Sequence, residues 1–164
     1  SMNMDPTPEE LAQITLNATE CVKMFGINPK VALLSFSTKG SGGKSPDIDK
    51  VLKAAEIAQK QDKESIIDAE YQVDAAVNPK AAKSKCPDSP LKGEANTLVF
   101  PNLTASNIFV HGLGQFSDMT LDFTIMRGLV KPVGVLGRST PLDSVRNIII
   151  SCAMQVNSNL GGKK

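Results

Sequence analysis

The chain has 164 residues, 41% of them hydrophobic, with 18 basic and 17 acidic side chains that leave a formal charge of +1. That length suits one compact core and is short for two domains, while the balanced charge excludes the broad basic field that grips nucleic acid through its phosphates. Cys21, Cys86 and Cys152 are widely spaced without a CxxC pair, which excludes a zinc or dithiol motif, and no apolar run reaches the roughly 18 residues of a membrane-crossing helix.

The N-terminus lacks the basic-then-apolar layout of a secretory signal, so a cytoplasmic location is expected. Residues 1–5 read as a cloning remnant and N-terminal extension, residues 6–156 as a single α/β domain, and residues 157–164 as a polar tail.

Thr7-Pro8-Glu9-Glu10 predicts a helix start: a hydroxyl at the cap, proline in the first turn, and carboxylates facing the positive end of the helix dipole. Leu11, Ile14, Ala18, Val22 and Phe25 recur at helical spacing and are the expected inward face, with Gly26 as the stop. Val31 to Phe36 is a short apolar run of the kind that forms a parallel strand covered on both faces. Ser45-Pro46-Asp47 opens a second helix carrying Ile48, Val51, Leu52, Ala55 and Ala58.

Ile66 to Ala69 predicts a strand, and an alanine-rich helical stretch follows with an interruption at Pro79. Cys86 to Glu94 is a loop, Thr97 to Phe100 a strand, and Ala105 to Phe116 a helix weakened by Gly112 and Gly114. Val133 to Leu136 is expected as a last strand. Thr140-Pro141-Leu142-Asp143 then opens a closing helix with Val145, Ile148, Ile149, Cys152 and Val156 inward. Alternating strands and helices imply an α/β fold with a parallel-rich sheet and helices on both faces, whose ligands gather where strands end and helices begin.

Two loops sit at such places. In Ser37-Thr38-Lys39-Gly40-Ser41-Gly42-Gly43, glycines let successive amides turn toward an anion, and Lys39, Ser37, Thr38 and Ser41 add side-chain donors. The segment is either a phosphate site or an ordinary strand-to-helix loop, and its spacing is not that of a nucleotide P-loop. In Gly137-Arg138-Ser139-Thr140, Arg138 either clamps a phosphate at the same sheet edge or is solvated. Asp143 is either a general base or the capping carboxylate three residues after Thr140. The acidic run from Asp68 to Asp74 either orders a binding cleft and accepts from ligand hydroxyls or, as favoured, is solvated charge near a helix start, and His111, the only histidine, suggests neither a metal site nor a triad.

Several long motifs in order, among them "PTPEELAQITLNATECVKMFGINPKVALLSFSTKGSG", "DAEYQVDAAVNPKAA", "PDSPLKGEANTLVFPNLTASNI" and "GLVKPVGVLGRS", resemble the phosphate acetyl/butyryltransferase family over about residues 6–156. The resemblance implies a two-domain fold similar to isocitrate dehydrogenases, a cleft between the domains, and acyl transfer between phosphate and coenzyme A. Coenzyme A is then a substrate, no metal or further cofactor is needed, and acetyl phosphate or acetyl-CoA is the partner. A homodimer is expected, with neither nucleic acid nor membrane as partner.

The chain matches only the later half of such an enzyme, namely its second domain plus the final segment that returns to the first, so the fragment is expected to be inactive alone. Ser37, Thr38, Lys39, Gly40, Ser41, Gly42 and Asn107 are the implied substrate-binding residues, and Arg138 and Asp143 the implied catalytic ones. The closing motif departs from the family's "LSRGCSVDD": Arg138 matches the phosphate-binding arginine, whereas the family's serine is Gly137 and its proposed base is Ser144. Stretches such as "LKGEANTLVFPNL" also resemble the C-terminal domain of bacterial malic enzymes. That resemblance implies an alternative, a non-catalytic domain that senses acetyl-CoA or dimerises.

Overall fold

The computed structural model describes residues 3–119, 124–138 and 140–161, and the chain divides into two compact units, Ser1–Asn107 and Ile108–Lys164. The first unit opens with α1 (Pro8–Met24), closed by a capping box. The Thr7 hydroxyl accepts from the Glu10 amide at 3.3 Å, and the Glu10 carboxylate accepts from the Thr7 amide at 2.8 Å. Its inward face matches the expected one only in part: Leu11 is buried and Ile14 and Ala18 pack half-buried against the same core, but Ala12, Thr15 and Thr19 are also buried and Phe25 is exposed. The threonines fit because Thr15 donates to the Leu11 carbonyl at 2.8 Å and Thr19 to that of Thr15 at 2.6 Å, so neither hydroxyl enters the core unpaired.

Three parallel strands follow, β1 (Lys30–Leu34), β2 (Ile66–Tyr71) and β3 (Thr97–Val99), in the spatial order β2-β1-β3. Between β1 and β2 runs α2 (Pro46–Gln61), which buries Ile48, Val51, Ala54, Ala55 and Ala58 and leaves Leu52 exposed. Side chains of β1 alternate between two cores, as the pleat requires. Val31 and Leu33 join α1 and α2 on one face, and Ala32 and Leu34 meet Tyr71, Ala75, Ala76 and Ala82 on the other. That second face is covered by α3 (Val73–Val77) and α4 (Pro79–Lys85), split at Asn78, whose side chain accepts from the amides of Lys80 and Ala81. The expected α/β fold with helices on both faces is therefore present.

One irregularity places the residues that matter below. Leu33 pairs with Ala69 but Leu34 pairs with Tyr71, so Glu70 is an extra residue in β2 and the strand bulges there. After the bulge Tyr71 faces the same core as Ala32 and Leu34, while Ala69 faces the opposite one.

In the second unit, α5 (Leu103–Phe116), which crosses the boundary between the units, runs unbroken through Gly112 and Gly114. The expected last strand is only β5 (Gly134–Val135), and it pairs antiparallel with β4 (Thr124–Ile125) in a separate two-stranded sheet rather than joining the parallel one. Both strands pack against α6 (Leu142–Gly161). The inward face of α6 also differs from expectation, for Ser144, Ile148, Ser151 and Gln155 are buried whereas Ile149 and Val156 are exposed. On that face Gly134 lies directly against Ile148. Beyond this, Phe123, Ser139 and the end of the polar tail lie outside the described residues.

Candidate functional site

The glycine-rich turn lies at the carboxyl ends of β1 and β2, as read from the sequence, but its amides are already spent. All seven from Ser37 to Gly43 find acceptors within the chain. Ser37 donates to the Ser35 hydroxyl at 3.3 Å, Thr38 to the Ser41 hydroxyl at 2.9 Å, and Gly42 to the Ser37 hydroxyl at 2.8 Å. Ser41 and Gly43 donate to the carbonyls of Thr38 and Gly40. Lys39 donates to the Glu70 carbonyl at 3.3 Å and Gly40 to the Glu70 carboxylate at 3.1 Å. The open anion cradle expected there is thus filled by the chain's own oxygens, five of them from residues 35–41 and two from Glu70, which is only 2% exposed.

Glu70 can do this because the bulge leaves it out of the strand ladder, so that its carbonyl and its carboxylate are both free to meet the turn. Lys39 and Gly40 accommodate the contact with φ of +47° and +89°. Gly42 has no space for a side chain, since a Cβ would stand 2.7 Å from the Phe36 ring and 2.8 Å from Ser37 Cβ.

Lys39 is committed in the same way. Its ammonium donates to both carboxylate oxygens of Asp68 at 2.9 Å and to the Ala69 carbonyl, and lies 4.8 Å from the centre of the Tyr71 ring. The Tyr71 hydroxyl donates to Asp68 and shares a 2.7 Å contact with Ser89, whose oxygen also accepts from the amides of Leu91 and Lys92. Burial first, then the Asp68 carboxylate, pushes the Tyr71 hydroxyl well above its ordinary pKa.

Thr38, fully inside, exchanges two hydrogen bonds with Gln72: its hydroxyl accepts from the Gln72 amide at 2.9 Å and donates to the side-chain oxygen at 3.3 Å. Lys85 completes the layer with contacts to Gln72 and to Asp74, whose carboxyl it holds below its usual range. Asp68, Glu70 and Asp74 are paired with the turn or with lysines, and are not merely solvated.

In the second unit Arg138 is exposed after β5, so it does not follow a strand of the parallel sheet as expected. Ahead of α6, Thr140 turns its hydroxyl back on Gly137, donating to that carbonyl at 2.9 Å and accepting from that amide at 2.8 Å. Asp143 pairs with Arg146 at 3.2 Å in an exposed i,i+3 contact. The capping role expected between Thr140 and Asp143 is replaced by these two local contacts. Asn107 is exposed on α5 at the close of the first unit. Among the described residues no group of three His, Cys, Asp or Glu is placed to hold a metal ion, and no helix is long and apolar enough to cross a membrane.

Parallel strands with helices on both faces and a serine- and glycine-rich turn at their carboxyl ends define an α/β scaffold, and comparison with known proteins places it. The model of the phosphate acetyl/butaryl transferase family matches residues 1–155, and the chain belongs to that family. It is 41% identical over 158 residues to the phosphate acetyltransferase of Bacillus subtilis (strain 168), an alignment covering 94% of this chain and 48% of that protein. Among solved structures it resembles the EutD phosphotransacetylase from Staphylococcus aureus, with a TM-score of 0.89, 38% identity, and coverage of 94% of this chain and 48% of the other. A phosphotransacetylase from Streptococcus pyogenes has a TM-score of 0.90 at 42% identity, covering 96% of this chain and 48% of its own. The chain thus spans about half the length of these relatives.

Proposed function

We propose that the chain forms part of an acyltransferase that moves an acetyl or short acyl group between phosphate and coenzyme A, as a cytoplasmic homodimer with no cofactor beyond coenzyme A as substrate. The observation that carries this reading is the family match across residues 1–155, joined to a turn rich in hydroxyls at the strand ends where such folds gather ligands. In the reaction the coenzyme A thiolate attacks the acyl carbonyl and the carbonyl–phosphate bond breaks. Phosphate leaves with the bonding pair. On the first unit the hydroxyls of the Ser37–Gly42 turn and Asn107 are the residues we assign to phosphate, and on the second, taken by itself, Arg138 is assigned to phosphate and Asp143 is the candidate base for the thiol.

The second reading, a domain that binds acetyl-CoA without turnover, is favoured by the closing motif. Ser144 stands where the family carries its proposed base, and Asp143 is engaged with Arg146. Acetyl-CoA formation from acetyl phosphate and coenzyme A, measured on this chain and on a protein that joins it to the half its relatives carry, separates the two. Turnover by the joined protein supports the transferase. Calorimetric binding of acetyl-CoA with no turnover in either form overturns it in favour of the sensor.

A further inference from the structure

Resting on the reading that the Ser37–Gly43 turn meets a phosphate, we infer that Ser41 is the residue of the turn that donates to it, and that Lys39 and Asp68 form a clamp positioning Ser41 rather than a charge for the ligand. The seven amides of the turn have acceptors in the chain. An ammonium has three N–H groups, and those of Lys39 face the two Asp68 oxygens and the Ala69 carbonyl. The Thr38 hydroxyl donates to Gln72.

Two hydroxyl hydrogens remain, on Ser37 and Ser41, whose oxygens lie 3.4 Å apart. Ser37 is fully buried, so its hydrogen is directed to Ser41, the exposed partner. The Ser41 oxygen already accepts from the Thr38 amide at 2.9 Å, which leaves its own hydrogen facing solvent, where an acyl phosphate or inorganic phosphate approaches. Lys39 acts from behind. Its backbone and side chain both tie the turn to the end of β2, and Asp68 is oriented for this by the Tyr71 hydroxyl, itself held by Ser89. In this arrangement Lys39 is neutralised in place, and its value to the site is geometric.

Calorimetric titration of the 164-residue chain with inorganic phosphate and with acetyl phosphate tests the assignment, with circular dichroism confirming the fold of each variant. Ser41→Ala is expected to weaken binding about tenfold, and Ser41→Thr, which keeps the hydroxyl, to restore most of it. Asp68→Asn removes a negative charge beside the site, so plain electrostatics calls for tighter binding. The clamp calls for weaker binding, to about the same extent as Lys39→Met and with no added loss in the double variant. Tyr71 is the sole tyrosine and there is no tryptophan, so its emission reports release of the clamp directly, and it should change in Asp68→Asn. Tighter binding by Asp68→Asn, or undiminished binding by Ser41→Ala, overturns this inference while leaving the proposed function standing. Failure of the wild-type chain to bind either anion likewise overturns this inference alone, whereas the proposed function falls only if the joined protein also fails to turn over acetyl phosphate.

Discussion

Gly40 donates its amide to the carboxylate of Glu70 at 3.1 Å, across 30 residues of sequence, and this contact seals the glycine-rich turn onto the end of β2. Glu70 is almost wholly buried although Gly40 is exposed, so the acceptor side of the contact is shielded from water. Glu70→Ala leaves the Gly40 amide without its acceptor and is expected to destabilise the fold by about 1–3 kcal/mol, whereas Glu70→Gln, which keeps a carbonyl oxygen, costs less. Urea denaturation of the two variants checks the order.

The glycines of the turn differ in what they tolerate. Gly40 has φ of +89° but nothing within 4 Å of a would-be Cβ, so Gly40→Ala adds only backbone strain, about 1 kcal/mol. Gly42 is crowded by Ser37 and Phe36, and Gly42→Ala is expected to cost about 1–3 kcal/mol through overpacking. Gly93 combines both penalties, with φ of +75° and a would-be Cβ 2.5 Å from the Asn78 carbonyl carbon, so Gly93→Ala is the most damaging of the three. Thermal melts of the three variants should rank them in that order.

At the start of α1 the cap is the stabilising device. Thr7→Ala removes the acceptor for the Glu10 amide and is expected to cost about 0.5–2 kcal/mol, read from the shift in denaturation midpoint.

Acid sensitivity should gather at Asp62. Burial alone would raise its carboxyl, but hydrogen bonds from Ser65 and Lys23 and from the amides of Ser65 and Glu64 hold it at about 2. A pKa depressed on folding stabilises the folded state above the unfolded value, and that contribution is lost as pH falls from about 4 toward about 2. Asp62→Asn is expected to lower stability at neutral pH and to flatten this acid limb. Denaturation midpoints across that window provide the measurement.

Much of the first unit was legible because its signals are local. The Thr7 start, the apolar run from Val31 and the break at Pro79 each depend on neighbours in sequence, and each appears where expected. The faces of α1 and α6 were less legible because Thr15, Thr19, Ser144 and Ser151 enter the interior through hydrogen bonds or small size, which apolar spacing does not register. Glycines, hydroxyls and position after a strand marked the Ser37–Gly43 turn, and position correctly put it at the strand ends. What fills it was hidden, because Glu70 reaches the turn through a one-residue bulge that leaves no mark in composition or period. Had Asp68 and Asp74 been read as partners for the lysines around them rather than as solvent-facing charge, Lys39 and Lys85 would have been the residues to test.

A segment reading Ser-Thr-Lys-Gly-Ser-Gly-Gly invites the assumption that it flickers between conformations. With every amide from Ser37 to Gly43 held by an oxygen of the same chain, the opposite follows. In deuterium oxide these seven protons should be lost slowly, at rates nearer those of β1 than of an ordinary loop. The turn would then greet its ligand as a finished surface, with little ordering left to do on contact.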